Sequence, residues 1–179
     1  HIGSIRREGL LKKISKKIKT INPDIVIISG DLADGSNEIK PNNFQELGKI
    51  KAPVIFTPGN HDYYVGIENI IKACENAGIT VLDNQQTKIK GLNIYGLSCS
   101  FDNKNIVPTD LDFKINKNEN NLLIFHTPSN WDEFIKLGFN IMLSGHTHGG
   151  QFYPANLWIK LVFPQLRGLF AKQGNYLNV

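Results

Sequence analysis

An α/β layered fold is predicted by three observations. Short apolar, β-branched runs alternate with stretches of helical spacing, a βαβα order gives way to a β-rich second half, and polar residues with chemical potential stand where the apolar runs end. A chain of 179 residues suits one domain, able to bury roughly two thirds of its unfolded surface. Its 41% hydrophobic and 20% charged residues, with both signs mixed, are those of a globular protein and argue against disorder.

In chain order, the first helix is predicted over 4–20. There Leu10, Leu11, Ile14 and Ile18 recur at helical spacing among Lys12, Lys13, Lys16, Lys17 and Lys19. The basic side reads first as a solvated outer face, with a phosphate or lipid patch as the sharper alternative. "DIVIISGD" (24–31), "PVIFTPGNHD" (53–62), "LNIYGLS" (92–98), "LLIFHTP" (122–128) and "NIMLSGHTH" (140–148) read as strands buried on both faces. "ITVL" (79–82) and "TKIK" (87–90) are weaker strands, the second turning at Lys90-Gly91 into the next. Helices are predicted over 42–50, 67–77 and 130–138, the last capped by Ser129 or Asn130. "KINKNENN" (114–121) is a polar loop, the segment 152–170 has no assignable secondary structure, and "NYLNV" reads as part of a strand.

The excess of 20 Lys+Arg over 16 Asp+Glu gives +4, a mild preference for anionic partners. Cys74 and Cys99 are too few for a disulfide framework or thiolate zinc cluster and read as core residues. The longest apolar candidate, "LWIKLVF" (157–163), is broken by Lys160 and far short of a membrane span, so the visible chain reads as soluble. It begins with His1, and both ends read as incomplete, so a leader or anchor would lie outside it.

The chemistry gathers at strand ends. Asp31 follows "IISG", Asn60, His61 and Asp62 follow "IFTPG", His126 follows "LLIF", and His146 and His148 follow "IMLSG". Ligands of open α/β sheets bind beyond the carboxyl ends of the strands, so four strands deliver these groups to one rim. All five histidines have Gly or Pro within two residues, and His61, His146 and His148 also have Asp, Asn or another His that near, the setting of a metal site. In extended backbone His146 and His148, two apart, point to one side and are expected to aim at neighbouring ions. Gly30, Gly59, Gly145, Gly149 and Gly150 leave room for the backbone to turn and a substrate to approach. Carboxylate, amide and imidazole donors without thiolate suit Mn, Fe or Zn, and two such ions clamp a phosphoryl group and generate hydroxide.

"GDLAD", "GNHD", "FHTP" and "GHTHGGQ", in this order and spacing over residues 1–151, resemble the calcineurin-like metallophosphoesterase family. The "GHTHGGQ" form, with an aromatic, Pro-containing stretch behind it, is most similar to its small bacterial, often membrane-associated members. The resemblance implies a four-layer α/β/β/α sandwich of two mixed β-sheets flanked by helices, a single domain over 1–179. It implies that Asp31 bridges two metal ions, Mn foremost with Fe or Zn as alternatives. Asn60, His126 and His146 would complete one site, and His148 and His1 would serve the other. His61 would donate a proton to the leaving oxygen or stabilise the phosphoryl charge, with Asp62 orienting its ring. The implied reaction is phosphomonoester or phosphodiester hydrolysis by a metal-bridging hydroxide. The family opens with Asp-x-His on its first strand, and "HIGS" keeps only the His, so that strand is expected before His1 and further strands after Val179.

Two other classes stand beside this one. A degenerate member binding metal and partners without catalysis is disfavoured by the full histidine set, and a nuclease of the same fold wants a broader basic surface than this length provides, so nucleic acid is not an expected partner. The expected partner is a phosphoester, lipid-linked if the apolar stretch 152–163 meets lipid; packing of that stretch on the domain is the alternative reading. Tyr63 and Tyr64 line the pocket or pack on the domain. A monomer is expected, and the resemblance implies a membrane-associated or exported bacterial location, with the cytoplasm as the alternative.

Overall fold

Side chains of a strand alternate between its two faces, and in this chain both faces of the central strands are apolar. A computed structural model describes residues 7–34, 39–99, 113–150, 161 and 163–179. The elements run α1 (Arg7–Ile21), β1 (Val26–Ser29), α2 (Gln45–Gly48), β2 (Val54–Thr57), α3 (Asn60–Val65), α4 (Ile67–Asn76), β3 (Thr80–Val81), β4 (Gln85–Ile89), β5 (Leu92–Leu97) and β6 (Asn121–Phe125). They continue with α5 (Trp131–Leu137), β7 (Ile141–Leu143), a 3-10 turn (His148–Gly150), β8 (Leu169–Lys172) and β9 (Asn175–Asn178). Strands β1, β2 and β3 form a small sheet, parallel throughout. The larger sheet is mixed, in the order β4-β5-β6-β7-β9-β8, with antiparallel hairpins at its two edges and parallel pairing between.

The alternation sorts the apolar side chains into three layers of contact. Val54 and Phe56 of β2 face Leu11, Leu47, Ile70 and Ala73 of the helices, while Ile55 between them joins Ile94, Leu122 and Ile124 in the space between the sheets. Tyr95, Leu123, Phe125 and Met142 face the other way, onto Trp131 and Phe134 of α5. The result is helices, small sheet, large sheet, helix: the four-layer sandwich expected, except that the small sheet is parallel rather than mixed among the described residues, because helical crossovers join its strands. Gly96 marks a close approach of the sheets, since a Cβ there would come 2.5 Å from Thr57 Oγ1 and 2.6 Å from the Leu82 carbonyl.

Helix α1 buries Leu11 and Ser15 and keeps its lysines outward, although Leu10 and Ile14 remain partly exposed and Ile21 largely so. Cys74 and Cys99 are both buried, as expected. Asn130 is the N-cap position of α5, but its side chain makes no cap bond. Two expected strands end early. The run 53–62 stops at Thr57 because Pro58 has no N–H for the ladder, and α3 starts at Asn60. The run 140–148 stops at Leu143, with consequences for the histidines below. Asn121, at the start of β6, is fully buried and donates to the carbonyls of Asn116 and Gly138, each at 2.9 Å, which ties the polar loop before it to the sheet.

Candidate metal centre

The parallel strands β1, β2, β6 and β7 deliver their carboxyl ends to one rim. Gly30 (φ 90°) and Asp31 (φ 53°) turn the chain sharply after β1, placing a carboxyl where a β-branched residue would be strained. His126 follows β6 directly and is buried, with its Nδ1 2.7 Å from the Ser29 carbonyl. Neither Gly30 nor Gly59 could carry a side chain here: a Cβ on Gly30 would lie 2.7 Å from His126 Cγ, and one on Gly59 2.6 Å from the Asp31 nitrogen and 2.9 Å from His126 Cγ. The two glycines are spacers that let Asp31 and His126 meet.

Their meeting has an unusual electrostatic form. A carbonyl oxygen only accepts, so His126 Nδ1 carries the proton and a neutral ring presents a lone pair at Nε2. That Nε2 lies 2.9 Å from Asp31 Oδ2, yet it is buried and has no partner in hydrogen-bond geometry. A lone pair facing a carboxylate oxygen needs positive charge between or upon them. Burial pushes the Asp31 carboxyl up, but the His126 ring and the His61 amide more than offset it, leaving it below the usual carboxylate range.

A second pair stands beside the first. Asn60, buried at the start of α3, has its Oδ1 3.0 Å from His146 Nδ1, and the His146 and His126 rings meet edge to face at 5.2 Å. Burial, then the neighbouring His126, holds His146 below the ordinary histidine range, a shift toward the form of the ring that donates a lone pair. The expected extended HxH does not form. His146 (φ 67°) and His148 (φ 49°) are both left-handed, and the Thr147 amide donates back to the Gly145 carbonyl at 2.8 Å. The reason is that β7 has already ended at Leu143, so the two rings are set by a tight turn rather than a pleat. His148 is exposed, at the edge of a cavity of about 360 Å3 that His146 also lines.

His61 sits on α3, its amide donating to Asp31 Oδ1 at 3.0 Å and its Nδ1 3.0 Å from Asp34 Oδ1. Asp62 does not hold this ring. It is fully buried, accepting from the Ala33 amide at 2.9 Å and the Gly59 amide at 2.8 Å, so it ties the two loops that present Asp31 and Asn60. Burial pushes its carboxyl up to about 6. Consecutive residues of a helix point about 100° apart, which is why adjacency in sequence does not bring the His61 and Asp62 side chains together. Asp34, which closes the "GDLAD" segment, is not among the residues expected from the sequence; its three-residue offset from Asp31 is the signal that marks it. Tyr64 is exposed with its ring edge on His61 at 5.5 Å, and Tyr63 is half-buried. Burial, with the Asp31 charge adding to it, pushes the Cys99 thiol up to about 11, so it supplies no thiolate.

His1 lies outside the described residues, as do 152–160 and 162 of the apolar stretch. Within that stretch Leu161 is exposed and Phe163 packs edge-on to His146 at 5.5 Å. Among the described residues no group of three or more His, Cys, Asp and Glu side chains stands ready to hold an ion. What is assembled is two donor pairs, Asp31 with His126 and Asn60 with His146, the second using an amide. Their chemistry, and the buried Nε2 turned on a carboxylate, fit a hard or borderline divalent cation.

Comparison with known proteins places the chain in a family. The family model for calcineurin-like phosphoesterases matches residues 1–150. An uncharacterized metallophosphoesterase of Helicobacter pylori is 32% identical over 178 residues, covering 95% of this chain and 48% of that protein. One from Aquifex aeolicus is 29% identical, with 94% and 68% covered. A Danio rerio protein named as a transmembrane protein with a metallophosphoesterase domain is 25% identical, with 95% and 43% covered. The chain thus spans about half the length of several curated relatives, and no helix among the described residues is long and apolar enough to cross a membrane. Among solved structures, Haemophilus influenzae NAD nucleotidase shares the fold, with a TM-score of 0.52 and 16% identity over 94% of this chain and 42% of that one. The chain belongs to the calcineurin-like phosphoesterase family.

Proposed function

We propose that this chain hydrolyses a phosphoester at a dinuclear metal centre. Family membership implies metal-dependent phosphoester hydrolysis, and calcineurin-like phosphoesterases generally bind two divalent metals. The observation that carries the reading is the His126 ring: Nδ1 bound to the Ser29 carbonyl and Nε2 held 2.9 Å from Asp31 Oδ2, a ligand oriented by a backbone carbonyl behind it. Asp31 would bridge the ions, Asn60, His126 and His146 would hold one, and His148 and His1 the other. Mn suits the oxygen and imidazole donors best, with Fe or Zn as alternatives. Bound there, the ions supply Lewis acidity toward the phosphoryl oxygens and a nucleophile from water at neutral pH.

The protein's own groups do the rest. His61 is anchored twice, by its amide on Asp31 and by Nδ1 on Asp34, and its ring would carry a proton to the leaving oxygen. Asp34 takes the orienting role first expected of Asp62, which instead fixes the spacing of the Asp31 and Asn60 loops. The ring of Phe163 against His146 and the exposure of Leu161 support a substrate with an apolar leaving group, a lipid-linked phosphoester among them.

The test uses full-length protein loaded with Mn and p-nitrophenyl esters of phosphate, mono and bis. His61→Ala is expected to lower kcat by about 10²–10⁴-fold while metal content by mass spectrometry stays at wild-type level. Wild-type turnover in that variant removes His61 from the mechanism. Metal bound with no hydrolysis above blank identifies a binding protein instead.

A further inference from the structure

We propose that Arg167 forms an anion subsite beside the histidine turn and biases the site toward dianionic phosphomonoesters over monoanionic diesters, an inference that rests on the phosphoesterase reading above. The cavity of about 360 Å3 is lined by residues 145–149 together with Leu166, Arg167 and Val179, so one guanidinium shares a space with the rings of His146 and His148.

Its place is built on both sides. Thr147, between the two histidines, donates from Oγ1 to the Leu166 carbonyl at 2.5 Å. On the other side, Gly168 and Val179 exchange backbone hydrogen bonds at 3.0 and 3.1 Å, which pins the segment to the end of β9. Gly149 (φ 62°) packs so closely under the side chain that a Cβ there would come 3.2 Å from Arg167 Cδ. The histidine turn and the arginine are therefore one unit.

Among the described residues no carboxylate pairs with Arg167, whereas the acids of the rim are engaged elsewhere: Asp31 at His126, Asp34 at His61 and Asp62 at two amides. A planar forked cation beside metal-ligand imidazoles matches phosphate oxygens in bidentate fashion. Its attraction grows with the ligand's charge, and an ester on a second oxygen removes one acceptor from the fork. Both effects favour a monoester.

Full-length, metal-loaded protein is titrated calorimetrically with inorganic phosphate and, separately, with dimethyl phosphate. Arg167→Ala is expected to weaken phosphate about tenfold or more and dimethyl phosphate by about threefold or less. Arg167→Lys, keeping the charge without the fork, is expected to recover part of the loss. In turnover, the ratio of kcat/KM for p-nitrophenyl phosphate over the bis ester is expected to fall in Arg167→Ala by a similar factor. Arg167 is exposed, so the variant folds, which thermal denaturation verifies. Unchanged phosphate affinity in Arg167→Ala, equal losses for the two ligands, or no measurable phosphate binding by the wild type overturns the subsite. Arg167-dependent phosphate binding without any hydrolysis sinks the phosphoesterase reading and leaves the subsite standing.

Discussion

At the residue scale the aspartates divide the labour. Asp62 has no exposed surface and accepts two backbone amides, so its loss leaves two buried N–H groups without acceptors. Asp62→Ala is expected to cost about 1–3 kcal/mol of stability, read by urea denaturation. Asp34 is about half exposed and faces His61, so Asp34→Asn is expected to keep the wild-type midpoint and to lower kcat by about tenfold or more. The reverse pattern, a stable Asp62→Ala and an unfolded Asp34→Asn, contradicts these assignments. Asp31, Asn60, His126 and His146 were legible as candidates because each follows an apolar run; that the runs belong to two facing sheets whose carboxyl ends share a rim was not. The pairings among them were not legible. Which carboxylate reaches His61 depends on how a helix starting at Asn60 turns its first residues, and that start was hidden inside a run read as strand.

At the element scale the same strand-to-turn transition recurs. Both edges of the large sheet are hairpins with two left-handed residues at the turn: Lys90 (φ 50°) with Gly91 (φ 82°), and Gln173 (φ 52°) with Gly174 (φ 77°). The first hairpin was readable from "KG" between alternating residues. The second was not, because Gln carries no turn preference and β8 exposes both Leu169 and Ala171. Asn adopts the left-handed conformation more readily than Gln, so Gln173→Asn is expected to raise stability by about 0.5–1 kcal/mol. A lower or unchanged denaturation midpoint contradicts that. The left-handed backbone at His146 and His148 has no sequence signal beyond the flanking glycines, which allow a turn without dictating where the strand ends.

At the scale of the whole molecule, the layers follow from period-two alternation in strands apolar on both faces, and this was the most readable feature of the chain. What the alternation cannot state is the spacing of the sheets. That is set locally, at Gly96, where Thr57 and Leu82 of the facing layer leave no room for a methyl group. Gly96→Ala is expected to destabilise by about 1–3 kcal/mol through overpacking, with a wild-type denaturation midpoint as the contrary result. The rim depends on this spacing, because Asp31 and Asn60 extend from the small sheet and His126 and His146 from the large one. Two cations are therefore expected to join the two sheets at their carboxyl edges. Crystals of the full-length protein grown with Mn and measured at its absorption edge are expected to give two anomalous peaks, one between Asp31, Asn60, His126 and His146 and one beside His148, sharing Asp31. No peak at that rim, or peaks only elsewhere on the surface, contradicts the dinuclear centre.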